Sequence, residues 1–304
     1  MIKKYEYRNL VWIDLENPSS NEVRAVMDEY AMEPLVAEEL LIPSLKPKVD
    51  LYNNCIYLIL HFPILKYGQN SQKNQEIDFV IGRNFLVTSR YEEIDPLHQF
   101  SRVFEVNSIL DRSNMGEHAG FIFYYMIRNL YRYLIDQLDS IKSSLAQVED
   151  HIFKGEEREM VIELSQISRT LLDFKEATSV HKSVLDSLAI AGKKFFGPDF
   201  EYYLQSIISE YFKVHTEIQG SKEFVEELRT TNNSLLTTKQ NEVMKTLTIM
   251  AFIFLPLSFI ASIFGMNSDY LPIVGSPNGF WIILGSMLVI GLCIFSFFKY
   301  KKWL

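Results

Sequence analysis

From Leu247 to Phe264 no residue of the chain is charged, and after a short loop a second uncharged run extends from Gly279 to Phe298. Each run is about as long as a helix must be to cross a bilayer, roughly 17–25 residues. Everything before Asn241 is soluble in character. The pattern therefore predicts a large soluble body that enters a membrane near its C-terminal end and crosses it twice.

Composition narrows the reading. A length of 304 residues allows one or two domains. The net charge of −8 argues against nucleic acid as a partner and suits a cytosolic body that meets cations. No apolar stretch follows the N-terminal Met-Ile-Lys-Lys-Tyr-Glu-Tyr-Arg, so no signal peptide is expected. Cys55 falls in a soluble strand and Cys293 in the second apolar run; they are not expected to pair, and they suit a reducing compartment. Lys239 and Lys245 precede the first run, and Lys299, Lys301 and Lys302 follow the second. The segment from Ser268 to Asn278 has no Lys or Arg and one Asp. The excess of positive charge on cytoplasmic flanks then puts both termini in the cytoplasm of a multi-pass protein of the cell (inner or plasma) membrane. Trp281 and Trp303 stand near the two ends of the second run, as interfacial aromatics do.

The expected fold is an α+β membrane protein: a cytoplasmic α/β domain, a long helical stalk and two C-terminal transmembrane helices. The α/β domain covers residues 1–112. Leu10-Val-Trp-Ile-Asp reads as a short strand, and Pro18-Ser-Ser-Asn-Glu opens a helix with capping serines. A short helix runs from Pro34 to Leu41. Cys55 to Phe62, apolar and β-branched, reads as a central strand. Glu76 to Gly82 and Asn84 to Arg90 form a hairpin around Gly82-Arg83, and a further helix follows from Pro96 to Glu105. Long cytoplasmic helices including the stalk cover 113–245. Apolar residues recur at helical spacing over 117–153, again from Glu156 to about Lys193, and again from Asp199. No Pro occurs between Pro198 and Pro256, so the last run predicts one helix of about sixty-five residues, near 100 Å long at about 1.5 Å per residue. The first transmembrane helix is placed at 246–266, an extracytoplasmic loop at 267–278, the second transmembrane helix at 279–298 and a basic tail at 299–304.

On the first apolar run Asn241, Met244, Thr248, Ala251, Leu255, Ser258, Ser262 and Gly265 follow one another in steps of three and four, so they share one helix face. That face is small, polar or flexible, whereas the others carry Ile249, Phe252, Phe254, Leu257, Phe259, Ile260, Ile263 and Phe264. Small residues let a second helix pack closely. The same stripe, repeated in several copies, would line an aqueous path. Composition leaves both readings open. Elsewhere Asp136, Asp139, Glu149, Glu156, Glu157 and Glu163 read as solvated helix faces. The six histidines show no ligand spacing such as His-x-x-x-His. No Gly-rich phosphate loop and no nucleophile with a base is found, so neither an enzyme nor a nucleotide-driven pump is expected.

The stripe ends at Gly265-Met266-Asn267, which resembles the signature of the CorA family of divalent-cation transport proteins. The likeness extends over Asn241 to Pro272 as that family's first transmembrane segment, and over Phe298-Lys-Tyr-Lys-Lys-Trp-Leu as its basic C-terminus. Residues 33–52, Glu-Pro-Leu-Val-Ala-Glu-Glu-Leu-Leu-Ile-Pro-Ser-Leu-Lys-Pro-Lys-Val-Asp-Leu-Tyr, are similar to its "PLxxED…RPKxE" element. The resemblance implies a homopentamer in a lipid bilayer, with the first spans around a pore and the second spans outside them. It implies passive influx of Mg²⁺, with Co²⁺ or Ni²⁺ as further candidates, driven by the membrane potential. Gly265, Met266 and Asn267 would form the selectivity site; five Asn267 amides suit an ion that keeps its waters. Asn241, Met244, Leu247, Ala251, Leu255, Ser258 and Ser262 would line the pore, with the hydrophobic constriction at Leu255. Asp269 would be the outer-loop acid, although Ile273 stands where the family often has Glu. Cytoplasmic Mg²⁺ would hold the pore shut through Glu39 and a carboxylate on the long helix. The register puts that partner near Ser206, with Glu201 and Glu210 beside it. Two alternatives keep part of this reading: a Zn²⁺ transporter of the same superfamily, whose motif commonly reads Gly-Ile-Asn, and a non-conducting, membrane-anchored helical scaffold or sensor.

Overall fold

In the computed structural model, residues 1–44, 46–63, 74–91, 95–109, 116–266, 278–301 and 303 are described. The chain divides into two compact units, Met1–Arg229 and Thr230–Leu304.

The first unit is built on a six-stranded sheet in the order β1-β2-β6-β5-β4-β3. Its strands are β1 (Ile2–Tyr7), β2 (Leu10–Glu16), β3 (Lys48–Leu51), β4 (Cys55–Phe62), β5 (Gln75–Gly82) and β6 (Phe85–Arg90). All neighbours are antiparallel except β2 and β6, which run parallel with Ile13 opposite Val87. The expected hairpin forms, but its turn is Arg83–Asn84, one residue later than expected, because Gly82 still pairs with Cys55 as the last residue of β5. Gly82 leaves room for the Phe85 ring; a Cβ there would lie 2.2 Å from it. Strands β4 and β5 are buried almost throughout because helices cover both faces.

One face carries Ile13, Leu15, Tyr57, Ile59, Val80 and Val87 against α1 (Ser20–Tyr30) and α2 (Pro34–Glu39). Helix α1 starts as its sequence predicts: the Ser19 hydroxyl accepts from the Glu22 amide while the Glu22 carboxylate accepts from the Ser19 amide. Pro34 opens α2, where a missing N–H costs nothing. The other face carries Trp12, Leu58, Leu86 and Phe79. Trp12 packs edge-on to Phe100 and Phe104 of α3 (Asp95–Ile109), and Phe79 to Phe123 of α4 (Gly120–Lys154). On this face the Trp12 indole donates to Thr88 at 3.0 Å, Thr88 donates to Asp14 at 2.8 Å, and the Arg90 guanidinium meets Asp14 at 3.0 Å. All four residues are buried.

Helix α4 ends at Gly155, whose φ of 98° needs a residue without a side chain. The next run is two helices rather than one, α5 (Glu157–Thr178) and α6 (His181–Phe196). The Thr178 and Ser179 hydroxyls take up carbonyls of the last turn of α5, from Phe174 and Glu176. The break turns the fully buried His181 inward, where its ring bonds the Tyr131 hydroxyl and the His61 carbonyl, each at 2.8 Å. Glu157 also departs from the expected solvated face. It is buried in the first turn of α5, where free backbone amides favour a carboxylate.

After a short 3-10 turn at Pro198–Phe200, helix α7 runs unbroken from Glu201 to Phe264. Gly220 does not interrupt it. Within the first unit it buries Leu204, Ile207, Tyr211, Val214, Ile218, Val225 and Leu228, a three-four repeat. Ion pairs Arg128–Glu210 (3.8 Å) and Lys142–Glu217 tie it to α4.

The second unit holds the remainder of α7 and helix α8 (Gly279–Tyr300). These are the two helices among the described residues that are long and apolar enough to cross a membrane, and almost none of either apolar stretch is buried within the chain. Neither is therefore the core helix of a soluble protein. The covered positions, half-buried or buried, are Thr248, Ile249, Ile253, Pro256, Leu257, Ile260 and Phe264 on the apolar stretch of α7, and Gly279, Ile283, Met287, Ile290, Gly291, Ile294 and Phe298 on α8. Gly291 allows the approach: a Cβ there would meet Leu257 Cδ1 at 3.8 Å. Phe298 packs near Phe252, with ring centroids 6.1 Å apart.

Candidate functional site

The two faces of α7 differ in what the chain itself covers. The face that packs on α8 is the bulky one. At about 100° per residue, the stripe of Asn241, Met244, Ala251, Leu255, Ser258 and Ser262 points roughly 180° away from it. All six are exposed, and so are Leu247 and Gly265; Thr248 is half-buried. Met244 is 56% exposed, Leu247 55% and Leu255 70%. The small residues thus do not serve as the seat of α8 within one chain. Thr248 returns its hydroxyl proton to the Met244 carbonyl at 2.7 Å, so its polar group is satisfied inside its own helix.

The helix stops where the stripe does. Gly265 N–H still bonds the Ala261 carbonyl at 2.9 Å, and Met266 N–H bonds that of Ile263 at 3.3 Å. A Cβ on Gly265 would stand 3.0 Å from the Ala261 oxygen, so the close approach of backbone to backbone suits glycine. Met266 is 63% exposed. Asn267 and Asp269 lie outside the described residues.

The cytoplasmic carboxylates are separately held. Glu39, the last residue of α2, pairs with Lys48 of β3 at 2.7 Å. The same ammonium meets Asp50 at 2.9 Å. Burial opposes the charge on Lys48, but hydrogen bonds to Glu39 and Asp50 outweigh it and raise its pKa above the ordinary lysine value. Glu201 pairs with Lys193 at 2.7 Å. Glu210 pairs with Lys213 at 3.0 Å and with Arg128. One chain therefore engages the three expected carboxylates with different cations. Among the described residues no group of three or more His, Cys, Asp or Glu is arranged to hold a metal ion.

Sequence reading missed what surrounds Glu39. Lys48 and Asp50 stand within the segment already matched, but their convergence on Glu39 depends on how β3 lies beside β4. Behind them Asp78 is fully buried, and Glu76 nearly so. Burial first, then the charge of Glu76, pushes the Asp78 carboxyl well above the usual carboxylate range. Glu76 is held by the Ser44 amide at 2.9 Å and by His61 at 3.2 Å. No local pattern in the sequence marks a buried acid on a strand.

A soluble α/β body with long helices, continued into two apolar bilayer-length helices, defines an integral membrane protein with a large soluble part. Comparison with known proteins makes this specific. The profile of the family described as "CorA-like Mg2+ transporter protein" matches residues 7–301. The cobalt/magnesium transport protein CorA of Thermotoga maritima is 25% identical over 294 residues, covering 96% of this chain and 83% of that protein. The complete structure of the CorA magnesium transporter from Methanocaldococcus jannaschii superposes with a TM-score of 0.84 at 20% identity, over 99% of this chain and 93% of that one. The cytoplasmic domain of ZntB from Vibrio parahaemolyticus gives a TM-score of 0.53 at 13% identity, over 77% of this chain and 88% of that one. The chain belongs to the CorA-like family, whose members are membrane transporters and not enzymes.

Proposed function

We propose that the protein carries Mg²⁺, with Co²⁺ or Ni²⁺ as further substrates, passively into the cytoplasm through a pore built from five copies of the first membrane helix. The observation that carries this reading is the stripe on α7: small or polar positions interrupted by Met244, Leu247 and Leu255, turned away from α8 and left bare by the single chain. Further copies of the helix are what would cover it. The named activity of the relatives in Thermotoga maritima and Methanocaldococcus jannaschii supports the ion.

In this arrangement Asn241, Ala251, Ser258 and Ser262 give the wall small side chains and polar groups. Met244, Leu247 and Leu255 give it apolar rings, and rings of that kind close by excluding water. Gly265 and Met266 stand at the outer end, and Asn267 supplies a ring of neutral amide oxygens. Mg²⁺ sheds its waters reluctantly, so such a ring holds the hydrated ion through them without stripping the shell. Asp269 would raise the cation concentration at the mouth. The membrane potential supplies roughly 4.6 kcal/mol per 100 mV for a divalent ion, twice the single-charge value, so no second energy source is needed.

Gating follows from charge. Glu39 and the long-helix acids Glu201 and Glu210 are the candidates for holding cytoplasmic Mg²⁺ between subunits. When the ion leaves, the carboxylates repel and the closed packing loosens. Uptake by the purified chain in liposomes with an inside-negative potential tests the reading. Mg²⁺ influx that scales with the potential and falls as internal Mg²⁺ rises is expected. Influx confined to Zn²⁺ contradicts the choice of ion, and no influx of any divalent ion leaves the scaffold reading.

A further inference from the structure

We propose that Lys48 is a tethered cation that competes with divalent cations for Glu39, and so sets the cytoplasmic divalent-cation concentration at which Glu39 is occupied. The proposal rests on the reading of Glu39 as a regulatory ligand and adds the residue that tunes it. Lys48 and Asp50 are two apart on β3, so their side chains leave the same face of the strand. Opposite them on β4 are Ile59 and Tyr57, which belong to the face that α2 covers. The strand thus carries one ammonium and one carboxylate towards the end of α2. The Lys48 Nζ lies 2.7 Å from Glu39 Oε2, 2.9 Å from Glu39 Oε1 and 2.9 Å from Asp50 Oδ2. It also lies 5.2 Å from the centre of the Tyr57 ring.

The bond from Lys48 to Glu39 Oε1 is a charge-assisted hydrogen bond from N–H to carboxylate, while Glu39 Oε2, close to the same ammonium, is buried with no hydrogen-bond donor of its own among the described residues. A hydrated Mg²⁺ presents water O–H groups to carboxylates with the same chemistry, because it keeps most of its first shell. The ammonium of Lys48 therefore stands where the waters of a hydrated ion would donate, and both cannot be there. The setting favours a cation of either kind. Glu39 and Glu76 both bear on the buried Asp78, so the acids lie within reach of one another's charge. Lys48 and Glu39 keep about a third of their side-chain surface in water, at 33% and 29%, so an ion from solution can reach them. Tethering gives Lys48 a high effective concentration, while the free ion gains from its second charge. The midpoint of the exchange is then a property of this pair rather than of Glu39 alone.

The test uses the purified full-length protein in detergent, titrated with Mg²⁺ and challenged with chymotrypsin, which does not cut at lysine. Lys48→Gln removes the charge and is expected to lower the Mg²⁺ concentration for half-protection by roughly fivefold, the scale of one partly exposed ion pair. Lys48→Met, measured in parallel, must move it the same way. Lys48→Arg keeps the charge and is expected to stay within about twofold. Glu39→Gln is expected to raise the midpoint. A midpoint unchanged or raised in both Lys48→Gln and Lys48→Met, with Glu39→Gln still raising it, overturns the competition while leaving Glu39 as a ligand. A midpoint unmoved by Glu39→Gln overturns both.

Discussion

Ile249 and Leu255 stand on different sides of the first membrane helix: Ile249 is 4% exposed, and Leu255 is 70% exposed. Six positions apart, they lie about 120° from one another around the helix axis, so one is covered and the other bare. Substituting the two should therefore separate packing from permeation. Leu255→Ser places a hydroxyl in the proposed constriction and is expected to raise Mg²⁺ uptake several-fold when internal Mg²⁺ is high, because a polar ring stays wet. Ile249→Ser is expected to lower the yield of folded protein and leave uptake per folded molecule near that of the unsubstituted chain. Uptake assays normalised to folded protein check both.

The contact of Gly291 with Leu257 predicts a size limit. A methyl group fits at the 3.8 Å separation, so Gly291→Ala should leave thermal stability in detergent close to unchanged. Gly291→Leu overfills the contact and should cost about 1–3 kcal/mol. An equal effect from the two substitutions would mean that the helices do not meet there.

One buried and one half-buried histidine predict how the first unit responds to acid. Burial lowers the His181 pKa to about 4, against the hydrogen bond to the His61 carbonyl, which raises it. His118 falls to about 4 as well, through burial and the nearby charge of Arg83. Both folded pKa values lie below the unfolded value of about 6.5, so the folded state binds fewer protons. Stability is then complete above pH 6.5 and is lost as pH falls from there towards 4, with a slope of up to about 1.4 kcal/mol per pH unit and group. Thermal unfolding of His181→Phe across that window should show a shallower slope than the unsubstituted protein, on top of a lower stability at neutral pH from the unpaired Tyr131 hydroxyl.

The Asp14–Arg90 pair predicts an asymmetry. Asp14→Ala takes one carboxylate away from a buried guanidinium that still meets Glu16 at 3.0 Å, and should cost about 3 kcal/mol. Replacing both residues together, by Asp14→Leu and Arg90→Met, should cost less, because no buried charge is left behind. Denaturant titration of the single and double variants measures the difference.

Much of this was legible in the sequence, for physical reasons that differ by element. The membrane helices and the long α7 declare themselves through uncharged length and unbroken periodicity. The hairpin of β5 and β6 and the cap at Ser19 rest on local chemistry, which single residues encode. Strand β1 did not stand out, because Ile2-Lys-Lys-Tyr-Glu-Tyr is an exposed edge whose charges hide the alternation. Strand β3 is four residues long and nowhere fully buried. The parallel pairing of β2 with β6 joins segments far apart in the chain, and no local pattern records it. The break between α5 and α6 was hidden because its apolar spacing continues across Ser179 and Val180; the hydroxyl bonds that end α5 depend on the tertiary setting of His181.

The candidate site divides in the same way. The stripe on α7 is a periodicity and could be read directly. Which side of the helix α8 takes could not, since Ile260 and Ser258 are both plausible contacts from composition alone. At Glu39 the segment was recognised, but its salt bridge to Lys48 is made by the placement of β3 beneath α2.

The central claim is that the end of the α7 stripe selects a hydrated divalent ion, and Asn267 is the residue on which it turns. Mg²⁺ uptake into liposomes by the purified chain, with and without Asn267→Ala, is the most direct measurement. The account predicts that uptake is abolished while the assembly elutes at the size of the unsubstituted protein. Undiminished uptake in Asn267→Ala would contradict it.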